Sequence, residues 1–600
     1  MSENAVGGHL DRRRMIGAMA GAGMLAVAAP RMAHAATRLP RSDADPDLGA
    51  NVIIIDSAMP AAAVQARLDA IFAEQERAHF TDRRYAVLLK PGAHALDIKV
   101  GYFTQIAGLG LLPDDVTITG HVHAEADWND GNALINFWRG VENLHVAPAD
   151  RADRWAVSQA APYRRMHLDG DLTLDDGGWA SGGFFADCRI SGTVRSGTQQ
   201  QWFTRNSAIG GWDGSNWNMT FVGTTGAPPT SFPEPPYTNI ATTPVVRDKP
   251  FLHVDDDGGW GVFVPALRRD STGPGWASGA APAGRTLPLS DFLIATPATP
   301  VATINAALAS GRHLLVTPGI YRLSEPIRVT RPDTVVLGLG LATLLAEDGA
   351  MALSVADVPG VAIAGLLFDA GPTMSPVLMQ VGEPGARGDH RDDPILLADL
   401  FFRVGGAAVG NADTCLVINS HHVIGDHLWI WRADHGDRAS GRVHVGWSES
   451  VGNQGIIVNG DDVTLYGLFV EHFEKYQTIW NGERGRTYFY QNELPYDPPT
   501  QASWMAGETR GWAAYKVADD VRHHYAVGMG IYAYFNVGPA IVLESAIEAP
   551  DAPDVRFQSV TTISLGNNRG AIAHIVNRAG KTARPGDIRQ TLTHYPVQED

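Results

Sequence analysis

The sequence predicts an all-β protein made of two tandem right-handed parallel β-helices, each closed at one end by a short capping helix. Three observations lead to this prediction. The 600 residues include 65 Gly and 37 Pro but only 19% charged residues, which suits short strands joined by turns. Short apolar runs recur about once every twenty residues in the second half, and the layout of the first half repeats in the second.

The repeated layout joins a helix-like segment to a first strand. An apolar helical pattern at 62–72 precedes a strand-like run at 85–89, and the same order recurs at 301–308 and 313–316. In both halves a Pro-Gly turn follows the strand, and a Gly-Leu-Gly turn comes about twenty residues later. We interpret this as an internal duplication in which each short helix caps the open end of a solenoid.

The coil repeat is clearest late in the chain. Residues 456–459, 463–465 and 468–470 are short apolar runs separated by turn residues, and the same spacing occurs within 416–430. Strands of this length, punctuated by Gly, Asn or Asp, fit a coil of about twenty residues with three parallel faces. A propeller needs about four antiparallel strands per blade with hairpin turns, and that regularity is missing.

These patterns divide the chain into four parts. They are an export signal at 1–36, a first β-helix at 48–270, a linker at 271–290 and a second β-helix at 291–590. A chain of this length exceeds what one core usually spans, so more than one domain is expected.

The first 36 residues have the pattern of a twin-arginine export signal. Arg12 and Arg13 begin a basic motif, an apolar stretch follows at 18–29, and Ala33-His34-Ala35 forms a small-x-small cleavage site. No other stretch approaches twenty apolar residues. We therefore expect a periplasmic or secreted protein that is monomeric and leaves the membrane once the signal is cleaved.

Charge and cysteine content exclude several classes of protein. A net charge of −18 would repel a phosphate backbone, and no basic cluster interleaved with aromatic residues is present, so nucleic acid is not an expected partner. The two cysteines, Cys188 and Cys415, exclude a disulfide framework. A single bridge between the halves stays open, although two separate buried thiols are favoured.

A pair of glutamates is the strongest candidate for chemistry. Glu471 ends one strand-like run, and Glu493 lies 22 residues later, which is about one coil. Stacked carboxylates raise each other's proton affinity, so one of them can remain protonated as a general acid. Trp480, Tyr488 and Tyr490 are predicted to border this site as sugar platforms. The alternative is a structural carboxylate ladder stabilised by turn hydrogen bonds.

Two further groups are candidates for substrate contacts. In the first half, the amides of Gln199, Gln200 and Gln201 beside Trp202 could hold a water molecule or a sugar hydroxyl, although an internal amide stack would use the same residues. In the second half, the candidates are Trp431, Arg432 and Asp434, although Arg432 and Asp434 could instead form a buried ion pair with each other. Asp434 precedes a histidine, but no second ligand group lies at a recognisable spacing, so neither a metal nor any other cofactor is predicted.

At these residues the chain resembles glycoside hydrolase family 55, the tandem β-helix β-1,3-glucanases with pectate-lyase-like solenoids. The resemblance covers nearly all of the mature chain and is carried by residues 101–110, 136–139, 199–201, 428–435 and 528–535.

The resemblance implies an inverting hydrolase with Glu493 as general acid and a second glutamate, Glu471, one coil earlier. It also implies that glutamine and serine side chains of the first β-helix hold the attacking water, for which Gln199 and Gln201 match best. Tyr532 lies in the last matching stretch and is predicted to bind substrate. Because an inverting pair leaves room for a water, Glu471 is expected to support Glu493 rather than act as its base.

Two other functions stay open from sequence alone. A β-helix polysaccharide lyase would need an acidic calcium site or a Lys or Arg base, and the acidic runs at 255–257 and 461–462 lie in turn-like contexts. A non-catalytic solenoid that binds glycans would have the same stacked glutamates in a purely structural role.

Overall fold

The structure is a computed structural model of the chain. It describes residues 39, 44–437, 441, 443–538, 540–566 and 570–597. The predicted export signal at 1–36 lies outside the described residues. In the part of the chain that is described, no helix is long and apolar enough to cross a membrane.

The first β-helix begins with the strand Val52–Ile55 and helix α1, Ala61–Gln75, and continues in parallel strands. Its main sheet runs in the order Val52–Ile55, Tyr85–Leu89, Thr104–Gly108, Arg139–Val146, Pro162–Leu168, Phe184–Ala186, Gln201–Arg205, Asn218–Val222 and Tyr237–Ile240. The remaining faces of the coil are formed by Gly92–His94, Asp97–Lys99, Val116–Ile118, His121–His123, Ala152–Arg154, Asp171–Thr173, Arg189–Arg195 and Ala208–Asp213. Short 3-10 turns lie at Pro113–Asp115 and Asp127–Asn129.

Small antiparallel sheets connect the two solenoids. Their strands are Thr243–Val246 with Arg268–Ser271, and Phe251–Val254 with Trp260–Pro265 and Gly284–Pro288. Residues 271–290, predicted as a linker, therefore contain a strand that is hydrogen-bonded within a sheet. The parallel sheet of the first β-helix ends earlier than the predicted bound of 270, because its last strand ends at Ile240.

The second β-helix begins with Phe292–Ala295 and helix α2, Val301–Ala309, and has two long parallel faces. One face contains His313–Val316, Ile320–Leu323, Val335–Ala346, Ala362–Ala370, Ile395–Val404, Val423–Arg432, Thr464–Glu471, Gly485–Glu493, His524–Ala533 and Val555–Ser564, closed by the antiparallel Arg589–Tyr595. The other contains Ile327–Val329, Leu353–Val355, Ser375–Val381, Ala412–Ile418, Gly452–Val458, Thr478–Trp480, Tyr515–Val517, Val542–Glu548 and Ala571–Val576. A hairpin of Met505–Ala506 and Thr509–Arg510, and 3-10 turns at Leu289–Asp291 and Gln501–Ser503, complete the elements.

The predicted fold class, two tandem β-helices with short capping helices, is confirmed. In α1 the buried residues are Val64, Leu68, Ile71 and Gln75, which form one helical face against the first coil. The two cysteines are free and buried, as favoured from the sequence.

The two solenoids pack closely against each other. A single apolar cluster contains side chains of both, including Phe184 and Phe203 of the first and Phe469 and Phe489 of the second. Gly467 has a φ of +62°, and a Cβ atom there would lie 2.9 Å from the ring of Phe184. The close approach of the two walls thus requires glycine at this position.

Candidate active site

A cavity of about 630 Å³ lies where the two β-helices meet. Both solenoids contribute to its wall. From the first come Leu134, Ile135, Phe137, Gln159, Trp179, Ser181, Gln200 and Trp217, and from the second come Trp429, Trp431, Asp434, His435, Glu471, His472, Glu493, Tyr496, Tyr532, Tyr534, Leu565 and Gly566. The volume is typical of a ligand-binding pocket.

The two predicted glutamates occupy equivalent places on neighbouring coils. Glu471 is the last residue of Thr464–Glu471, Glu493 is the last residue of Gly485–Glu493, and the two are register partners. Since neighbouring strands lie about 4.8 Å apart, the side chains are adjacent in the cavity wall. The prediction that one coil separates and stacks them is confirmed.

Glu493 accepts hydrogen bonds from neutral donors around the cavity. The hydroxyl of Tyr496 donates to its Oε2. The amide of Gln491 lies 3.2 Å and the hydroxyl of Ser181 lies 3.4 Å from its Oε1. His472 Nε2 is 3.8 Å from Oε2. The side chain retains 17% exposure, so it can reach a ligand in the cavity.

Glu471 lies deeper and is held by one donor from each solenoid. Trp429 Nε1 donates to its Oε2 at 2.8 Å, and Gln159 Nε2 donates to its Oε1 at 2.8 Å. The same Gln159 nitrogen donates to Ser181 Oγ at 2.9 Å. Gln159 therefore connects the buried carboxylate to the hydroxyl that faces Glu493.

The environment raises the proton affinity of both glutamates. Burial raises the pKa of Glu493, although His472 and Tyr496 act in the opposite direction. Burial, followed by repulsion from Glu493, raises the pKa of Glu471 well above its ordinary value. When the pKa values of two adjacent carboxylates are both raised, the pair retains a proton at a pH at which isolated carboxylates would be ionised.

A third acid in the cavity behaves differently. Asp434 Oδ1 is 2.8 Å from Nδ1 of His435 and 3.8 Å from Nε2 of His472. Burial by itself would raise the pKa of Asp434, but the two imidazoles lower it overall. Asp434 is thus the ionised acid of the cavity.

Aromatic rings form much of the cavity wall. Trp429 and Trp431 stack with centroids 5.1 Å apart, and Trp217 packs against Tyr532 at 5.1 Å. Flat aromatic faces of this kind stack on sugar rings.

Comparisons with known proteins agree with this geometry. The model of the LAM55 pectate lyase-like domain matches residues 292–493. An exo-beta-1,3-glucanase of Streptomyces sp. SirexAA-E is 49% identical over 554 residues, which cover 92% of this chain and 90% of that protein. The chain belongs to glycoside hydrolase family 55.

Solved structures from the same organism extend the likeness to the whole fold. The structure of sacteLam55A has a TM-score of 0.89 and 48% identity, covering 93% of this chain and 100% of that one. A glutamate-to-alanine variant of sacteLam55A in complex with glucose gives a TM-score of 0.89 and 47% identity, covering 94% and 100%.

Several residues predicted for this family 55 site are in the cavity wall. They are Glu471, Glu493, Gln200, Trp431, Asp434 and Tyr532. Those of the second solenoid lie at or beyond the ends of strands on the face that meets the first solenoid. Gln200 lies in a loop of the first solenoid on the opposite side of the cavity.

The prediction that Gln199 and Gln201 face the cavity is wrong. Gln199 is fully buried, where its amide donates to the backbone carbonyls of Val157 and Leu174 and its oxygen accepts from the Gly182 N–H. Gln201 is also fully buried and donates to the carbonyl of Ser181. Both amides satisfy backbone groups of neighbouring coils, as in the internal amide stack considered for the sequence.

Gln159 and Ser181 occupy the places predicted for those glutamines. They lie 22 residues apart, on successive coils of the first solenoid, and both line the cavity. The spacing of one coil could have predicted that they are neighbours, but the sequence around them has no regular pattern of apolar residues.

Five predicted substrate contacts are also misplaced. Trp202 and Trp480 are buried inside their own solenoids, and Arg432 is buried in an ion pair with Asp497. Tyr490 points into the second core, whereas Tyr488 packs on Tyr466 between the solenoids and outside the cavity. Tyr488 and Tyr490 face opposite sides because Phe489 between them has a φ of +68°, which breaks the alternation of the strand.

Proposed function

We propose that this chain hydrolyses β-1,3-glucan from a chain end by an inverting mechanism, with Glu493 as general acid. The observation that carries the proposal is a carboxylic acid of raised pKa in a cavity shared by both solenoids, surrounded by neutral donors. The substrate and exo action are supported by the Streptomyces relative, which is named as an exo-beta-1,3-glucanase.

The electrostatics of the cavity favour a neutral glycan. Its wall contains Asp434, Glu471 and Glu493, and none of the described lining residues is Lys or Arg. A polyuronate would meet these acids without a counter-charge, which argues against the lyase alternative. The aromatic wall suits the rings of neutral glucosyl units.

Glu493 would protonate the leaving glycosidic oxygen. As the bond between this oxygen and the anomeric carbon breaks, a water molecule held by Ser181 and Gln159 forms the new C–O bond from the opposite face of the sugar. The two residues lie within 2.9 Å of each other, and Ser181 also reaches Glu493. The attacking water releases one proton to solvent, and Glu493 regains from solvent the proton that it gave to the leaving group, so the reaction balances without a cofactor.

Glu471 would support this step without being the base opposite Glu493. Carboxylates on adjacent strands are about 4.8 Å apart, whereas an inverting acid and base are about 6.5–9.5 Å apart to admit the water. Glu471 instead accepts a hydrogen bond from Gln159 and so holds that amide beside Ser181.

The export and assembly predictions stay part of the proposal. The twin-arginine pattern at 1–36 supports release into the periplasm or medium, where a polymeric glucan is accessible. We expect the mature protein to act as a monomer, because both walls of the cavity come from one chain.

Replacement of the acid is the direct test. Glu493→Gln keeps size and neutral hydrogen bonding but removes the proton, so kcat on a soluble β-1,3-glucan should fall by about 10²–10⁴-fold. NMR of the wild-type reaction should show the α-anomer of glucose first. Glu474→Gln is a matched control, because Glu474 is a nearby half-buried glutamate outside the cavity.

Three outcomes would contradict the proposal. Activity of Glu493→Gln close to wild type would remove the acid role, and initial release of the β-anomer would remove inversion. Glucan binding without any wild-type turnover would identify a non-catalytic solenoid, and an ultraviolet-absorbing product from uronans would identify a lyase.

A further inference from the structure

A second cluster of chemically active side chains lies in the first β-helix away from the cavity. It contains Asp114, His145, His167 and Asp169, none of which lines the cavity. Asp114 is in the 3-10 turn Pro113–Asp115, and the two histidines lie on the strands Arg139–Val146 and Pro162–Leu168. Because His145 and His167 are register partners, the coil repeat stacks them directly.

The donor atoms of this cluster lie close to one another. The imidazoles of His145 and His167 stack with centroids 4.3 Å apart and planes 15° apart. Oδ1 of Asp114 lies 2.6 Å from Nδ1 of His167 and 4.0 Å from Nδ1 of His145. One ligand atom from each of the three residues lies within 4.8 Å of the other two.

Asp169 orients the histidines from behind. Its Oδ2 lies 3.0 Å from Nε2 of His145, and its Oδ1 lies 3.7 Å from Nε2 of His167. A carboxylate can only accept from Nε2–H, which leaves Nδ1 of His145 as an acceptor nitrogen, and the hydroxyl of Thr117 lies 3.4 Å from it. A carboxylate behind a histidine is the usual support of a metal-ligating imidazole.

We propose that Asp114, His145 and His167 bind one divalent transition-metal cation of the Zn²⁺ class. Two imidazoles and one carboxylate are ligands that zinc accepts, with water completing a tetrahedral shell, whereas Ca²⁺ and Mg²⁺ require mostly oxygen ligands. Binding draws the three donors inward to about 2.0–2.2 Å from the ion. The proton that Nδ1 of His167 shares with Asp114 is released when the metal binds.

The cation would connect three separate segments of the first β-helix. Asp114 reaches the site from a turn, while the histidines come from two successive coils. The site is also next to the connection between the solenoids, since the ring of Trp276 lies 5.9 Å from that of His167. Metal binding therefore stabilises the fold without touching the proposed glucan site.

Zinc titration of the tag-free, EDTA-treated and desalted protein tests the proposal. We expect one equivalent of ZnCl₂ to bind, measured by competition with a chromophoric chelator, and to raise the melting temperature, whereas MgCl₂ has no effect. His145→Ala and His167→Ala should each abolish stoichiometric binding. Asp169→Asn should weaken affinity by about 10–100-fold, because it removes support without removing a ligand.

His121→Ala is the matched control. His121 is another partly exposed histidine of this β-helix, 3.9 Å from Asp150 and from Asp153. It should leave zinc binding unchanged, and circular dichroism should show every variant folded. Zinc binding retained in both His145→Ala and His167→Ala, or absent from the wild type, overturns the proposal. Glucan hydrolysis without metal should be the same in all these variants, so failure of the proposed activity leaves this test independent.

Discussion

Buried carboxylates lie at two places between the solenoids, and their partners differ. One place is an ion-pair network, in which Arg164 of the first β-helix donates to two aspartates of the second β-helix. The distances are 2.8 Å to Asp399 and 2.6 Å to Asp426. The other place is the cavity, where Glu471 and Glu493 accept hydrogen bonds from amide, indole and hydroxyl groups. Both pairs of acids are removed from bulk water, but only the network supplies guanidinium groups.

The pKa directions follow this difference. Burial by itself would raise the pKa of Asp399, but Arg164 lowers it well below its ordinary value. Burial raises the pKa of Glu493, and neither His472 nor the hydroxyl of Tyr496 offsets that rise. Burial is common to both sites, so the charge of the neighbours determines whether an acid holds the solenoids together or remains able to donate a proton.

Breaking the network should give the largest effect on stability. Arg164→Met leaves Asp399 and Asp426 buried with fewer counter-charges, so we expect a loss of about 3–5 kcal/mol in the free energy of unfolding. Urea denaturation measures this loss. Arg195→Met is the control, because Arg195 pairs with Asp171 on the surface and should change stability by under about 1 kcal/mol. Equal effects of the two substitutions would show that the network is not stabilising.

Removing a neutral donor from the cavity should instead affect catalysis. Gln159→Ala deletes the hydrogen bonds to Glu471 and Ser181, so kcat should fall by about 10–100-fold with little change in unfolding. Gln199→Ala should show the opposite behaviour, because its amide satisfies buried backbone groups. If Gln199→Ala lost activity and Gln159→Ala did not, the water site would have to be moved back to the predicted glutamines.

This pair of glutamines shows what a sequence can reveal about a β-helix. Coil spacing alone predicted that Glu471 and Glu493 stack, because one repeat along the chain returns to the same face. Spacing does not indicate which face points inward. Gln159 and Gln199 are both amides near turns, and only the packing of the second solenoid against the first decides which one faces the cavity.

A left-handed backbone conformation explains another wrong prediction, the placement of two tyrosines. A regular strand would place Tyr488 and Tyr490 on the same face, but the left-handed residue Phe489 turns them apart. Positive φ at a bulky residue is not expected from sequence, since it is sterically unfavourable without tertiary support. The cluster of Asp114, His145 and His167 is also not evident from the sequence, because Asp114 comes from a turn some thirty residues before His145.

The smallest expected effect is a shift in the pKa of Glu493. The Tyr496 hydroxyl donates to Glu493 and lowers its pKa, so Tyr496→Phe should raise that pKa. A general acid works only while protonated, so kcat/KM falls as pH rises through its pKa, and this alkaline limb should move to higher pH by up to about one unit. Tyr534→Phe is the control, since Tyr534 contacts the ring of Tyr496 and has no hydrogen bond to Glu493 among the described residues. A limb that moves to lower pH in Tyr496→Phe would mean that another group, and not Glu493, supplies the proton.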